Sequence, residues 1–186
     1  DRDYDGTVAR LSPEAPVPVV ACPDGPTDYP GGAAHVAAAI AALGVPVGLV
    51  GLVGPDADSV VLESAMAAAG IWYRPTVVRN WRTVVKIRIT CEGRHLCRVD
   101  TEIPTPADPV FPTDHIEVAK SLLRSGEVGL LVLSDYGKGA FTRPEVRDLI
   151  GAATALRIPV VVDPKNLKVS IYAGAAVATP NFDEAV

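Results

Sequence analysis

Cysteine is scarce in this chain: Cys22, Cys91 and Cys97 are the only three among 186 residues. An odd number without zinc-type spacing excludes a disulfide scaffold and a metal knuckle. A reduced, cytoplasmic compartment is the resulting expectation. Basic residues are short as well. Lys and Arg number 17 against 22 Asp and Glu, a formal net charge of −5, so no surplus of cations exists to neutralise nucleic-acid phosphates and nucleic acid is not an expected partner. Internal repeats and low-complexity tracts are missing too. What the chain does have is apolar content: 48% of its residues, with a mean hydropathy of +0.25, which excludes a disordered polymer.

Charge is absent altogether between Tyr29 and Pro55, a run that at first looks like a membrane span. Its punctuation argues otherwise. Val36, Ile40 and Leu43 fall on one helical stripe within 33–43, and Gly44 and Pro46 stop that helix. Residues 47–53 form a short apolar run closed by Gly54-Pro55, the length of a buried strand. Neither a membrane partner nor a secretory leader is expected.

Pro13, Pro16 and Pro18 hold residues 12–20 extended and deny them interior sheet positions, which predicts an edge strand or arm. The pattern then predicts a helix over 33–43, a strand over 47–53, a helix near 57–69 and a strand near 71–78. Alternating runs at 83–91 and 96–101 flank Glu92-Gly93-Arg94-His95, a hairpin signal. A Pro-rich linker over 104–112 precedes a helix (113–125), an apolar strand (128–133), a helix (143–156) and strands at 158–162 and 175–179. Continuous apolar strands alternating with helices predict an α/β fold with a parallel sheet covered on both faces. Segments 10–20 and 83–101 do not fit that layer and read as a small separate β-structure set against it.

In an open parallel sheet, ligands bind beyond the carboxyl ends of the strands. Three successive strand ends here carry Ser134-Asp135-Tyr136-Gly137-Lys138-Gly139, Asp163-Pro164-Lys165-Asn166 and Pro180-Asn181-Phe182-Asp183-Glu184. Each loop alone is ordinary turn chemistry. Together they supply the cations, close-approach glycines and Mg²⁺-holding oxygens that phosphate chemistry uses. Gly31-Gly32 opens the 33–43 helix, so a ligand could approach its free N–H groups, although the same pair also suits a tight turn before a buried helix. His35 lies in the first turn, where a lone histidine is more often a capping or packing residue. Lys86, Arg88 and Thr90 alternate with Val85, Ile87, Ile89 and Cys91. If the hairpin brings Lys86, Arg88 and Arg98 together, the result is either a cationic surface suited to a substrate phosphate or a solvated face. Its apolar face needs covering by the 10–20 arm or by a second subunit, and Cys91 and Cys97, which could face each other across the turn, are expected as free thiols.

These segments, in order, resemble a known family. The residues Arg10-Leu11-Ser12-Pro13-Glu14-Ala15-Pro16-Val17-Pro18-Val19, Pro30-Gly31-Gly32-Ala33-Ala34, Leu133 through Gly139, Val162-Asp163-Pro164-Lys165 and Thr179-Pro180-Asn181 with Glu184 are similar to those of the ribokinase-like (PfkB) carbohydrate kinases. Within that family the arm and the Ser134–Gly139 loop resemble the bacterial heptose 7-phosphate kinase branch. The resemblance implies a doubly wound α/β domain with a mostly parallel sheet, helices on both faces and a small β-sheet lid, its strands at about 8–20 and 83–101. It implies ATP and Mg²⁺ as cofactors and transfer of the γ-phosphoryl group to the anomeric 1-hydroxyl of heptose 7-phosphate, a step toward lipopolysaccharide core precursors. Asp1 looks like the sugar-hydroxyl ligand, Gly31 and Gly32 (with His35 beside them) line the sugar pocket, and Lys86, Arg88 and Arg98 are the implied grips on the 7-phosphate. Asp135 and Lys138 belong to the implied substrate site, Lys165, Asn181 and Glu184 to the nucleotide site, and Glu184 to the metal. A homodimer through the β lid is the implied assembly.

Two departures accompany the resemblance. His35 stands where the family usually has Asn, a compact amide with one donor and one acceptor end, which keeps open another sugar for the same type of kinase. The Gly-Ala-Gly-Asp turn that supplies the family's anion hole and base does not occur, so no residue here is assigned as the base. The chain starts at Asp1, not Met, and stops at Val186 just after a helix start; a partial kinase domain over 1–186, without its catalytic C-terminal part and inactive as it stands, is the expectation. A sugar-phosphate binding module that has lost catalysis is the non-enzymatic alternative.

Overall fold

The computed structural model describes residues 1–101, 112–165 and 169–182. In chain order the first half contains β1 (Arg2–Leu11), β2 (Pro18–Ala21), β3 (Thr27–Asp28), α1 (Ala33–Ala42), β4 (Gly48–Val53), α2 (Ala57–Ala68) and β5 (Trp72–Val77). Then follow β6 (Val85–Cys91), β7 (Arg94–Thr101), α3 (Asp114–Arg124), β8 (Leu131–Ser134), α4 (Arg143–Ala155), β9 (Val160–Asp163), a 3-10 turn (Val169–Tyr172) and β10 (Val177–Ala178). The Pro-rich linker lies mostly outside the described residues. The chain divides into two compact units: Asp1–Val47, Val53–Tyr73 and Arg79–Ile103 form one, and Gly48–Leu52, Arg74–Val78 and Pro104–Val186 form the other.

In the first unit the strands run β2-β1-β6-β7, with β3 also paired to β1. The β1–β6 pair is parallel and places Asp3 opposite Arg88 and Asp5 opposite Thr90. The segments expected to form a small β-structure of their own therefore do share one sheet. The arm is organised differently from the expectation, however. Its prolines do not sit in one extended strand: Ser12 N–H donates to the Val17 carbonyl at 2.8 Å and closes a tight turn over Pro13 and Pro16. Pro18 opens β2, an edge strand, where its missing N–H costs no interior ladder bond. The hairpin β6–β7 turns on Glu92 and Gly93 alone, both at positive φ (51° and 74°), the two-residue geometry whose twist matches that of the strands. Cys91 faces Arg94 and Cys97 faces Ile89, so the two thiols are not cross-strand partners, and all three cysteines are free.

The buried residues of α1 are Ala34 and Ala37, not the expected stripe of Val36, Ile40 and Leu43. Leu43 is 82% exposed because the helix ends before it, at Ala42. α2 starts on Asp56, whose Oδ1 accepts from Ser59 N–H at 3.0 Å while Oδ2 accepts from Thr83 N–H at 2.8 Å. Buried Thr83 in turn accepts from Gly54 N–H through its hydroxyl at 3.1 Å. This knot fixes the entry to β6.

Burial acts to raise the pKa of Asp56, but the hydrogen bonds from Thr83 and Ser59 and the Arg82 charge outweigh it and hold the carboxyl below its ordinary value. The folded pKa lies below the unfolded one, so the contribution of Asp56 is present above the unfolded value and is lost as pH falls through the folded one. Asp56→Ala is expected to cost about 2 kcal/mol at neutral pH, from a lost helix cap and a lost charge-assisted bond. Urea unfolding of parent and variant should show the gap closing in strong acid; a gap independent of pH would mean that the carboxylate charge is not what holds Thr83.

The second unit carries the parallel three-stranded sheet β10-β9-β8, as the apolar runs predict. A single apolar core joins Ile116 and Leu123 of α3, Leu133 of β8, Val146, Leu149, Ile150 and Ala153 of α4, Val160 and Val162 of β9, and Ile171 and Tyr172 of the 3-10 turn. α4 begins at a reciprocal cap in which Thr142 N–H donates to Glu145 Oε2 at 2.6 Å, with Pro144 in the first turn. His115 is buried, its two ring nitrogens 3.1 Å from the Pro112 carbonyl and 2.7 Å from the Ala140 carbonyl, which ties the start of α3 to the loop after β8. β4 and β5 form a separate two-stranded sheet. Among the described residues, no helix is long and apolar enough to cross a membrane.

Candidate functional site

In the first unit, the parallel pairing of β1 with β6 sets a row of alternate carboxylates beside a row of cations. Arg88 donates to Asp1 Oδ2 from both Nη1 and Nη2 at 3.0 Å, and from Nη1 to Asp3 Oδ1 at 3.3 Å. Thr90 donates to Asp5 Oδ1 at 2.5 Å. The Asp1 carboxylate also lies against the turn before α1. A Cβ placed on Gly31 would stand 2.6 Å from Asp1 Oδ1, so only glycine leaves the carboxylate room there. Gly32, the residue that caps α1, has φ +53° and ψ −130°, and no side chain caps the helix, a backbone state that disfavours any residue with a Cβ. The chain thus brings together an oriented carboxylate, two glycines of close backbone approach and the first N–H groups of a helix. That set suits a ligand rich in hydroxyl groups: the carboxylate accepts, and the amides donate. His35 is exposed in the first turn, its N–H donating to the Gly32 carbonyl at 3.0 Å.

Lys86, Arg88 and Arg98 do share one face of the β6–β7 hairpin, with Arg88 directly opposite Arg98 and Lys86 opposite Asp100. Arg98 pairs along its own strand with Asp100, Nε to Oδ1 at 2.8 Å and Nη2 to Oδ2 at 2.9 Å. Asp3 was not singled out from the sequence. The signal was present in the alternation of Asp1, Asp3 and Asp5 at the same period of two as Lys86, Arg88 and Thr90.

In the second unit the carboxyl ends of β8, β9 and β10 lie side by side. Ser134 stands opposite Asp163, Ala178 opposite Val162, and Thr179 N–H donates to the Val162 carbonyl at 2.9 Å. Asp135, just past β8, accepts from Gly137 N–H at Oδ1 (2.9 Å) and from the Tyr172 hydroxyl at Oδ2 (2.6 Å). Both of its oxygens are therefore engaged in shaping the loop. The stem of Lys165 lies over Gly137, its Cγ 3.5 Å from where a Cβ would be. Burial, and then the charge and hydrogen bond of Asp163, push the Tyr136 hydroxyl above its ordinary pKa. Lys138 and Asn181 belong to the same strand-end loops; Asn166 and Glu184 fall outside the described residues.

Among the described residues, no group of three or more His, Cys, Asp and Glu side chains is arranged to hold a metal ion. Asp135, Asp163 and the Asn181 amide supply oxygen donors at the strand ends, of the kind that can share a Mg²⁺ with ligand phosphates and water. They do not form a closed protein cage.

The model of the pfkB family carbohydrate kinases matches residues 2–186. The chain is 44% identical over 184 residues to Bifunctional protein HldE of Pseudomonas putida, a match that covers 99% of this chain and 37% of that protein. HldE of Pseudomonas fluorescens is 44% identical over 186 residues with the same coverage. The chain thus spans well under half the length of these relatives. Among solved structures, Escherichia coli phosphofructokinase-2 in complex with substrates and products superposes with a TM-score of 0.71 at 22% identity, over 98% of this chain and 58% of that one. Arabidopsis thaliana ribokinase complexed with ribose and ATP gives 0.67 at 18%, over 99% and 58%. These likenesses establish a ribokinase-like fold.

Proposed function

This chain belongs to the pfkB family of carbohydrate kinases, and from that premise we propose that it is the sugar-recognising part of an ATP-dependent sugar-phosphate kinase acting on heptose 7-phosphate at the anomeric 1-hydroxyl. In the reaction, the sugar oxygen bonds to the γ-phosphorus of ATP as the bond from that phosphorus to the β,γ-bridging oxygen breaks. The products are the heptose 1,7-bisphosphate, ADP and a proton. The observation that carries the reading is the Asp1 carboxylate seated against Gly31 at the opening of α1. It is a hydroxyl acceptor fixed beside backbone donors, on a face that also carries Lys86. The heptose assignment draws on the 44% identity to HldE proteins and on the arm and Ser134–Gly139 motifs.

The Asn181 amide, with Glu184, would hold Mg²⁺ together with the nucleotide phosphates, and the metal would neutralise charge on the transferring group. Lys165 and Lys138 would meet phosphate oxygens at the strand ends, with Asp135 and Tyr172 holding that loop in shape. A homodimer through the sheet of β1, β6 and β7 fits the same reading, since Val8, Leu96 and Val99 are exposed.

The test is ADP release by the full-length protein with heptose 7-phosphate, compared with fructose 6-phosphate, ribose and nucleosides. Turnover led by heptose 7-phosphate supports the assignment. Turnover only on unphosphorylated pentoses or nucleosides overturns it and gives weight to the His35 departure. Thermal stabilisation by the sugar phosphate without any ADP release would instead mark a binding module.

A further inference from the structure

The charge arrangement on the β1–β6–β7 face divides the three cations into different roles. Asp1, Asp3 and Arg88 form one hydrogen-bonded group, with two carboxylates against one guanidinium. The guanidinium charge is therefore already taken up by carboxylates. Arg98 and Asp100 form a second group that is neutral. Lys86 is half-buried on the same face, and among the described residues no carboxylate pairs with it: its cross-strand neighbour Asp100 is taken by Arg98.

We propose that Arg88 is a positioning residue that orients the Asp1 carboxylate for sugar hydroxyls, and that Lys86 is the residue that meets the anionic group of the substrate. This rests on the reading of Asp1 as a sugar ligand. The geometry is specific. Both Nη atoms of Arg88 converge on a single oxygen of Asp1, Oδ2, which leaves Oδ1 turned to the Gly31–Gly32 side, where the missing Cβ makes room for it. One oxygen is thus spent on being held and the other is presented. A phosphoryl group arriving at Arg88 would have to displace two carboxylates, whereas at Lys86 it would meet an ammonium that no carboxylate of the described residues pairs.

The two roles separate by their substrate dependence in the full-length protein. Steady-state kinetics with the phosphorylated sugar and with the same sugar lacking its phosphate, both under saturating ATP, give a preference ratio in kcat/KM. Arg88→Met is expected to lower kcat/KM about tenfold or more for both sugars in parallel, with the ratio held within about twofold. Arg88→Lys should recover part of that loss for both. Lys86→Met is expected to lower the ratio itself by about tenfold. In a cycle with Asp1→Asn, adding Arg88→Met should cost little further, because the two act as one unit. A loss confined to the phosphorylated sugar in Arg88→Met, or full additivity with Asp1→Asn, overturns the proposal while the kinase reading stands. A parent protein that neither turns over nor is thermally stabilised by either sugar removes the kinase reading and this inference together.

Discussion

Gly31→Ala is expected to lower kcat/KM for the sugar about a hundredfold in the full-length protein, with KM for ATP little changed. The added methyl would stand 2.6 Å from Asp1 Oδ1 and 3.0 Å from its carboxyl carbon, well inside van der Waals contact. The carboxylate cannot simply swing aside, because its other oxygen is held by both Nη atoms of Arg88, and Arg88 is held in turn by Asp3. Either the Asp1–Arg88 pair breaks or the turn before α1 shifts outward, and both displace the hydroxyl acceptor by an ångström or so. Misplacement on that scale costs about 10²-fold in a positioned reaction. Because the crowding is local, thermal unfolding of the variant should move far less than its kinetics. Unchanged sugar kinetics in a folded Gly31→Ala protein would take Asp1 out of the substrate site.

How far the sequence anticipates this geometry depends on the range of the interaction. Alternation of helix and strand was legible because apolar runs such as Val47–Val53 and Val160–Val162 end at Gly, Pro or Asp. The β6–β7 hairpin was legible because Gly93 punctuates two alternating runs. Only the end of β1 coincides with a strand expected from the sequence, the one at about 8–20. The first half of β1, Arg2-Asp3-Tyr4-Asp5-Gly6, is rich in charge and has no apolar alternation, and it becomes a strand through a parallel partner about eighty residues away. Such pairing leaves no local trace except complementary spacing. The same holds at the site. Gly31, Gly32, Asp1 and the three cations could each be named from residue type, but which cation is already neutralised depends on the register between β1, β6 and β7. For α1 the apolar moment pointed to Val36 and Leu43, whereas the residues that disappear from solvent are alanines. The alignment of the β8, β9 and β10 ends is the opposite case, since parallel strands linked by helices bring their carboxyl ends to one edge.

Those strand ends depend on the layer beneath them, and Leu149→Ala should show it. Leu149 is 1% exposed on α4, in a core with Val160 at 1% and Val162 at 0% on β9 and Leu133 at 3% on β8. Trimming it to alanine removes most of a buried side chain from a site walled by regular helix and strand, which can collapse only partly. The expected cost is about 3 kcal/mol. Leu149→Met, which keeps the volume, should cost less than about 1.5 kcal/mol. Urea unfolding of both variants in the full-length protein measures the difference. Asp135 links this layer to the site: it follows β8, its N–H donates to the Asp163 carbonyl at 2.9 Å, and its side chain is held by Tyr172, a member of the same core. A cavity under β8 and β9 therefore loosens the strand end that carries Lys165, the nucleotide-side lysine, while the Asp1–Arg88 group rests on other strands. Leu149→Ala is accordingly expected to raise KM for ATP more than KM for the sugar at temperatures where the protein is still folded. Equal effects on both would mean that the strand-end loops are not where the nucleotide binds.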